Sequence, residues 1–304
     1  MTDIPVARCE GRKTRSMTRA SLSATRQQST PGNNYVPRVA IHFLEPSQAH
    51  PQQQSPLWGK LPAEIRNQIF ELAVSQHFDE TREYPVGSYY RRPGYTHAFK
   101  VCTALLQTCR LAWLEAHSIP MRSATIPIWE HQERGPPKWL RPYNYSRIML
   151  WGGRGHSSSL TAANRLDLDH VHFFTQLVYL EDGSPNRLFR KRHFNPRRVT
   201  ITIRHTDWWN WEDDHDLDLS DFDLFLPNTT EQLVIEFETI VRKKPQLDPI
   251  VAHWRGKTFK RMDDAVFSTV GEPTEYRWSG ELDDYGPQDY VVVVVTWKPA
   301  QTRR

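Results

Sequence analysis

The sequence predicts an α+β protein, with a disordered N-terminal tail, a small helical module and a mixed α/β domain behind it. Three observations carry this. Apolar residues recur at helical spacing in residues 61–73 and 104–117, and they alternate at strand spacing in residues 199–203 and 233–237. The first 55 residues keep no apolar period at all.

That tail is rich in Arg, Ser, Thr, Gln and Pro, so it cannot bury enough surface to offset the entropy of ordering. Arg8, Arg12, Lys13, Arg15, Arg19 and Arg26 face only Asp3 and Glu10. Such a bias also fits a mitochondrial presequence or a nuclear-import patch, but a solvated tail is the preferred reading.

The helical module is placed at residues 56–122. Pro62 suits a first helical position, where its missing amide hydrogen costs nothing, and Glu64 faces the positive end of the helix dipole. Ile65, Ile69 and Leu72 recur at i, i+4 and i+7 as one apolar stripe, with Glu64, Arg66, Asn67 and Glu71 on wetter faces. The expected mate is a helix over residues 104–117. There Leu105, Cys109, Ala112 and Ala116 form a stripe that Leu106, Trp113 and Leu114 widen, and Pro120 follows as a stop. Residues 83–100, crowded with Tyr, Arg, Pro and Gly, read as an irregular connection.

These two runs, LPAEIRNQIFELA and LLQTCRLAWLEA, resemble the F-box-like start of uncharacterised proteins from filamentous fungi. Leu61, Pro62, Glu64, Ile65, Ile69, Phe70 and Leu72 match the opening of the motif, while Cys109, Arg110 and Trp113 resemble its end. The resemblance covers about a fifth of the chain. It implies that Leu61, Pro62, Ile65, Ile69, Phe70, Leu72 and Trp113 bind the Skp-type linker of a cullin-RING ubiquitin ligase, the rest of the chain selecting an unknown protein substrate. The middle of the motif departs from the family, because the Tyr/Arg/Pro/Gly stretch stands where a second helix is usual.

Residues 123–165 hold Arg134, Gly135, Pro136 and Pro137, Arg141 and Pro142, and the run from Trp151 to Gly155, which break any long periodic element. They read as an irregular connection, ordered in part around Trp129, Trp139 and Trp151. Residues 166–300 read as the α/β domain. Val199, Ile201 and Ile203 predict a half-buried strand; Leu233, Ile235 and Phe237 predict another, opposed by Glu236 and Glu238. A short helix follows, capped by Asp248, opened by Pro249 and burying Ile250, Val251 and Trp254. The aliphatic run 291–295 predicts a central strand covered on both faces. Residues 167–181 suit either a helix or a strand, with the helix preferred.

No catalytic or metal constellation survives its spacing test. Asp216, Asp218 and Ser220 start like a calcium loop, but Asp221 stands where the turn needs Gly and Pro227 where it needs Glu, so a solvated acidic loop is expected. His170 and His172 would share a face only on a strand, and the preferred helix separates them by about 200°. Cys102 and Cys109 lack the partners of a zinc site, and Cys109 is expected on the helix's core stripe. The turn at residues 152–157 lacks the Lys of a phosphate loop, and Ser157, Ser158 and Ser159 lack the context of a nucleophile elbow. Trp208, Trp209 and Trp211, near Arg204 and His205, are a possible ligand surface, suited to a protein because the acids from Glu212 onward repel phosphate; core or rim packing is the blander alternative.

Bulk properties set limits without choosing a partner. A formal charge of +4 over 304 residues implies no global field for nucleic acid. Cys9, Cys102 and Cys109 are an odd number with no secretory leader before them, so a reducing compartment, cytoplasmic or nuclear, is expected and the sequons at Asn144 and Asn228 carry no weight. The run 291–295 is far short of the roughly 18–20 apolar residues that span a bilayer. The expectation is a noncatalytic adaptor with no cofactor, no metal site and no catalytic residues. Its alternative is a scaffold whose helices pack internally, with an enzyme less favoured.

Overall fold

Why do residues 125–129, 166–174, 194–203, 232–240 and 286–299 all become strands? Each supplies one residue to the same cross-sheet row. Ile128, Phe173, Ile201, Ile235 and Val295 are register neighbours across five strands, and every one is buried. The computed structural model describes residues 49–130, 134–137, 140, 166–191, 194–282 and 285–300. Most of the expected tail therefore lies outside the described residues, as do Trp139, Asn144, Trp151 and the 152–159 turn.

In chain order the elements are α1 (Pro56–Gly59), α2 (Ala63–Val74), β1 (Gln76–Glu83), β2 (His97–Val101), α3 (Arg110–Ala116), α4 (Ile119–Ser123), β3 (Thr125–Trp129), β4 (Leu166–Phe174), α5 (Leu177–Glu181) and α6 (Ser184–Phe189). There follow β5 (Phe194–Ile203), β6 (Phe225–Leu226), β7 (Gln232–Ile240), α7 (Lys244–Arg255), β8 (Phe259–Arg261), β9 (Val266–Thr269), β10 (Thr274–Leu282) and β11 (Gly286–Pro299). The main sheet runs β3-β4-β5-β7-β11-β9-β8-β6, with β10 also on β11. β3, β4, β5 and β7 are mutually parallel, and β11 is antiparallel to β7. β1 and β2 form a separate antiparallel pair.

The two faces of the sheet differ in chemistry. One is dry: the aliphatic rows meet Leu177 and Leu180 of α5, Leu188 and Phe189 of α6, and Leu247, Val251 and Trp254 of α7 in one apolar core. The other carries His170, His172, Thr200, Thr202, Glu236 and Glu238, and of these His172, Thr200, Thr202 and Glu238 are buried. The chain between β1 and β2 covers it with Tyr84, Tyr90 and Tyr95, which pack on Trp129 and Phe174.

Several expectations are corrected here. Residues 167–181 are a strand followed by a one-turn helix, because β4 pairs on both sides and the partners of a sheet outweigh local helical spacing. Residues 125–129, expected to be irregular, supply a strand of the main sheet. The 83–100 connection is framed by the β1/β2 pair. The 104–117 helix is two pieces: a 3₁₀ turn at Leu105–Gln107 and α3, with Cys109 extended between them as the cap of α3, its Sγ accepting from the Ala112 amide at 3.4 Å. Cys109 is therefore a half-exposed cap rather than a core residue. α7 begins at Lys244 with Pro245 in its first turn; Pro249 lies inside it and Asp248 accepts from Lys244 Nζ at 2.7 Å instead of capping. β5 and β7 are covered on both faces rather than one, which buries Thr200, Thr202 and Glu238. The 291–295 run is central, as its aliphatic continuity predicts, between β7 and β10.

Candidate functional site

The expected partner-binding residues divide into two sets. Pro62 is the N-cap of α2 and exposed, one position earlier than its sequence suggests, and Leu61 is half-buried. Ile65, Ile69 and Leu72 point outward at 41%, 37% and 83% exposure. Phe70 turns inward with Val74 and meets Leu106, Ala116 and Ile119, while Trp113 lies beside that cluster, its ring stacked on His117 at 5.4 Å. The stripe read from periodicity thus faces out, and a second apolar line at i, i+4, Phe70 and Val74, forms the inner face.

That inner line starts with a charge. Arg66 precedes Phe70 by one turn, and its guanidinium grips Glu115 of α3 in two hydrogen bonds of 3.0 and 3.1 Å while donating to the Leu61 carbonyl at 2.9 Å. Trp58 Nε1 donates to the same carboxylate at 3.2 Å. Sequence reading places Arg66 on a wet face and misses this clamp; its signal is the Arg66, Phe70, Val74 spacing. Forked, charge-assisted bonds at partly buried positions hold more than exposed ion pairs do. Glu115→Ala is expected to lower unfolding free energy by about 1–2 kcal/mol in a urea melt.

Behind α2 a groove of about 420 Å³ opens between Glu71 and Ser75 of α2, Ile119 and Arg122 of α4, and Leu168, Asp169 and Arg197. Gln76, just past α2, closes the edge of β3: its amide donates to the Thr125 carbonyl and accepts from the Thr125 amide, both at 2.9 Å.

The tryptophan cluster does not form a surface. Trp208 and Trp211 are buried, Trp208 Nε1 donating to the Glu238 carbonyl at 2.7 Å and Trp211 packing edge-on to Tyr89 under the Arg134 guanidinium. Only Trp209 of the three is exposed, beside Glu181. The acids of residues 212–221 are exposed, as a solvated acidic loop requires, and several of them hold basic or amide groups. Asp214 pairs with Arg242 and Lys243, Asp216 accepts from Gln246, and Asp221 pairs with His253 and Lys257. Lys243 also donates to the His215 carbonyl.

β4 puts His170 and His172 on one face, rings 5.8 Å apart, as a strand must and the preferred helix would not. Hydroxyls surround both: Thr125 and Thr200 for His170, Tyr95 and Thr202 for His172. Burial, with Arg198 nearby, pushes His170 down to about 4. Burial, then His170 and Arg92, holds His172 well below the ordinary imidazole range. Both are neutral at pH 7. Next to them Arg92 lies 2.9 Å from Glu238 and 3.8 Å from Glu236, and Trp278 Nε1 donates to Glu238 at 3.1 Å. Burial raises the Glu238 carboxyl, with Arg92 opposing. The cavity where Arg92, Glu238 and Trp278 meet Tyr89, Arg204, His205 and Tyr290 is about 30 Å³. It has room for about one water.

Among the described residues, no group of three or more His, Cys, Asp or Glu is disposed to hold a metal ion, and no helix is long and apolar enough to cross a membrane. Compared with protein-family models, curated proteins and solved structures, the chain matches none.

Proposed function

We propose that this chain is a noncatalytic binding adaptor that docks a partner protein on the outward face of α2. One observation carries the reading: Ile65, Ile69 and Leu72 lie exposed on a helix whose opposite face is already satisfied by Phe70 and Val74. Large aliphatic side chains left in water at helical spacing suit a helix-in-groove or helix-on-helix contact, each worth about 1.5–3 kcal/mol when fully buried. The F-box-like resemblance of Leu61, Pro62, Ile65, Ile69 and Leu72 names the partner class, a Skp-type linker of a ubiquitin ligase. The α/β part would then select the substrate protein.

Co-purification of the full chain with a Skp-type linker tests this. Wild type is expected to retain the linker, and Ile65→Asp to lose it at least tenfold while its melting temperature stays within a few degrees of wild type. Equal retention by both proteins sinks the ligase reading.

A second reading, a scaffold whose helices serve only internal packing, is favoured by the cluster of Phe70, Val74, Ala116 and Ile119 and by the seating of α4 against β4. Under it Ile65→Asp is silent in every binding assay.

A further inference from the structure

Where the chain between β1 and β2 reaches the sheet it makes a tight turn at Pro93 and Gly94. Arg92 and Tyr95 exchange backbone hydrogen bonds of 3.2 and 2.8 Å, and Gly94 has φ 77°, the left-handed corner that a turn with Pro before Gly requires. Both flanking side chains are buried against the polar face of the sheet. Tyr95 Oη lies 2.7 Å from His172 Nδ1, His172 Nε2 lies 2.6 Å from Thr202 Oγ1, and the Thr202 hydroxyl donates to Glu236 Oε2 at 2.6 Å. A hydroxyl has one hydrogen to give. That of Thr202 goes to Glu236, so Thr202 accepts from His172 Nε2–H. His172 Nδ1 then carries a lone pair and accepts from Tyr95 O–H. The donors run one way through four residues, and only a neutral imidazole gives the Tyr95 O–H an acceptor; a charged ring would turn Tyr95 Oη into the acceptor and leave its hydrogen unplaced.

We propose that the Arg92–Tyr95 turn is an acid-released latch: a second proton, taken from solvent onto His172 Nδ1, removes the acceptor that Tyr95 needs, and the turn lifts off the sheet. Tyr95 keeps its own proton throughout. The groups facing His172 set the balance. From the turn come Tyr95 and the Arg92 guanidinium; from its own strand comes His170; from β7 comes Glu236, 3.8 Å away. Arg92, His170 and burial all oppose a charged ring. Glu236 would favour it, but its carboxylate already accepts from Thr202 and lies near Arg92.

Lifting the turn returns His172 to water and to an ordinary pKa near 6.5. The closed form excludes the proton and the open form binds it. Latching is therefore complete above about pH 6.5 and weakens as pH falls, by up to about tenfold per unit and about 30-fold at pH 5.

Hydrogen exchange on the full chain, corrected for the intrinsic pH dependence of exchange, reads this out over residues 84–96. Wild type is expected to exchange about 30-fold faster at pH 5.0 than at pH 7.5 there, while residues 232–240 stay unchanged. His172→Gln should show no such rise. Tyr95→Phe should already be loose at pH 7.5 and respond far less to acid, and it decides the matter alone if His172→Gln does not fold. Equal exchange at the two pH values, an unaltered response in Tyr95→Phe, or loosening of residues 232–240 in step would overturn the latch.

Discussion

Glu238→Ala is expected to lower the unfolding free energy at pH 7 by about 3–5 kcal/mol, because it removes the nearer counter-charge of a cation held in the interior. Both partners are 3% exposed and 2.9 Å apart, and the same carboxylate also accepts from Trp278 Nε1 and from the His205 amide at 3.3 Å. Glu236, at 3.8 Å, remains as a more distant counter-charge that offsets only part of the loss. Urea denaturation followed by circular dichroism measures the loss. Arg92→Met combined with Glu238→Gln should recover most of it, since both charges are removed while the amide oxygen can still accept from Trp278 or the His205 amide. A loss below about 1 kcal/mol for Glu238→Ala would mean that water already reaches Arg92.

Trp254→Ala is the second large effect, about 3–5 kcal/mol. The ring is fully buried, with ring centroids 4.4 Å from Phe222 and 6.3 Å from both Phe237 and Phe259. Its Nε1 has no hydrogen-bond partner, so the loss is one of packing and desolvated surface, with the Lys257 ammonium 6.0 Å over the ring adding a cation–π contact. Trp254→Phe should cost much less for that reason. Leu72→Ala supplies the contrast: at 83% exposure it should change stability by less than about 0.5 kcal/mol, leaving partner binding as the property it alters. If Leu72→Ala destabilised as much as Trp254→Ala, the outward face of α2 would have to be covered by the chain itself.

Local pattern was enough to determine several things. Period-2 alternation found β5 and β7, aliphatic continuity found the central position of β11, and the 61–73 spacing found α2 almost to the residue. These signals survive because each is a property of one segment against one apolar layer. The choice between helix and strand at residues 167–174 was open to sequence but decided by tertiary structure, since β3 and β5 pair with β4 from both sides and no local spacing records a neighbour 30 to 45 residues away. The same holds for which face of α2 is buried. Ile65, Ile69 and Leu72 make the stronger apolar stripe, but Arg66 reaches Glu115, 49 residues on, and that clamp with Phe70 and Val74 turns the stripe outward. The polar face of the sheet was the least legible. Thr202 and Glu238 read as the wet side of half-buried strands and Arg92 and Tyr95 as parts of an irregular connection, and with His172 they become an interior only because the chain between β1 and β2 folds over them, setting Tyr95 on His172, His172 on Thr202 and Arg92 beside Glu238.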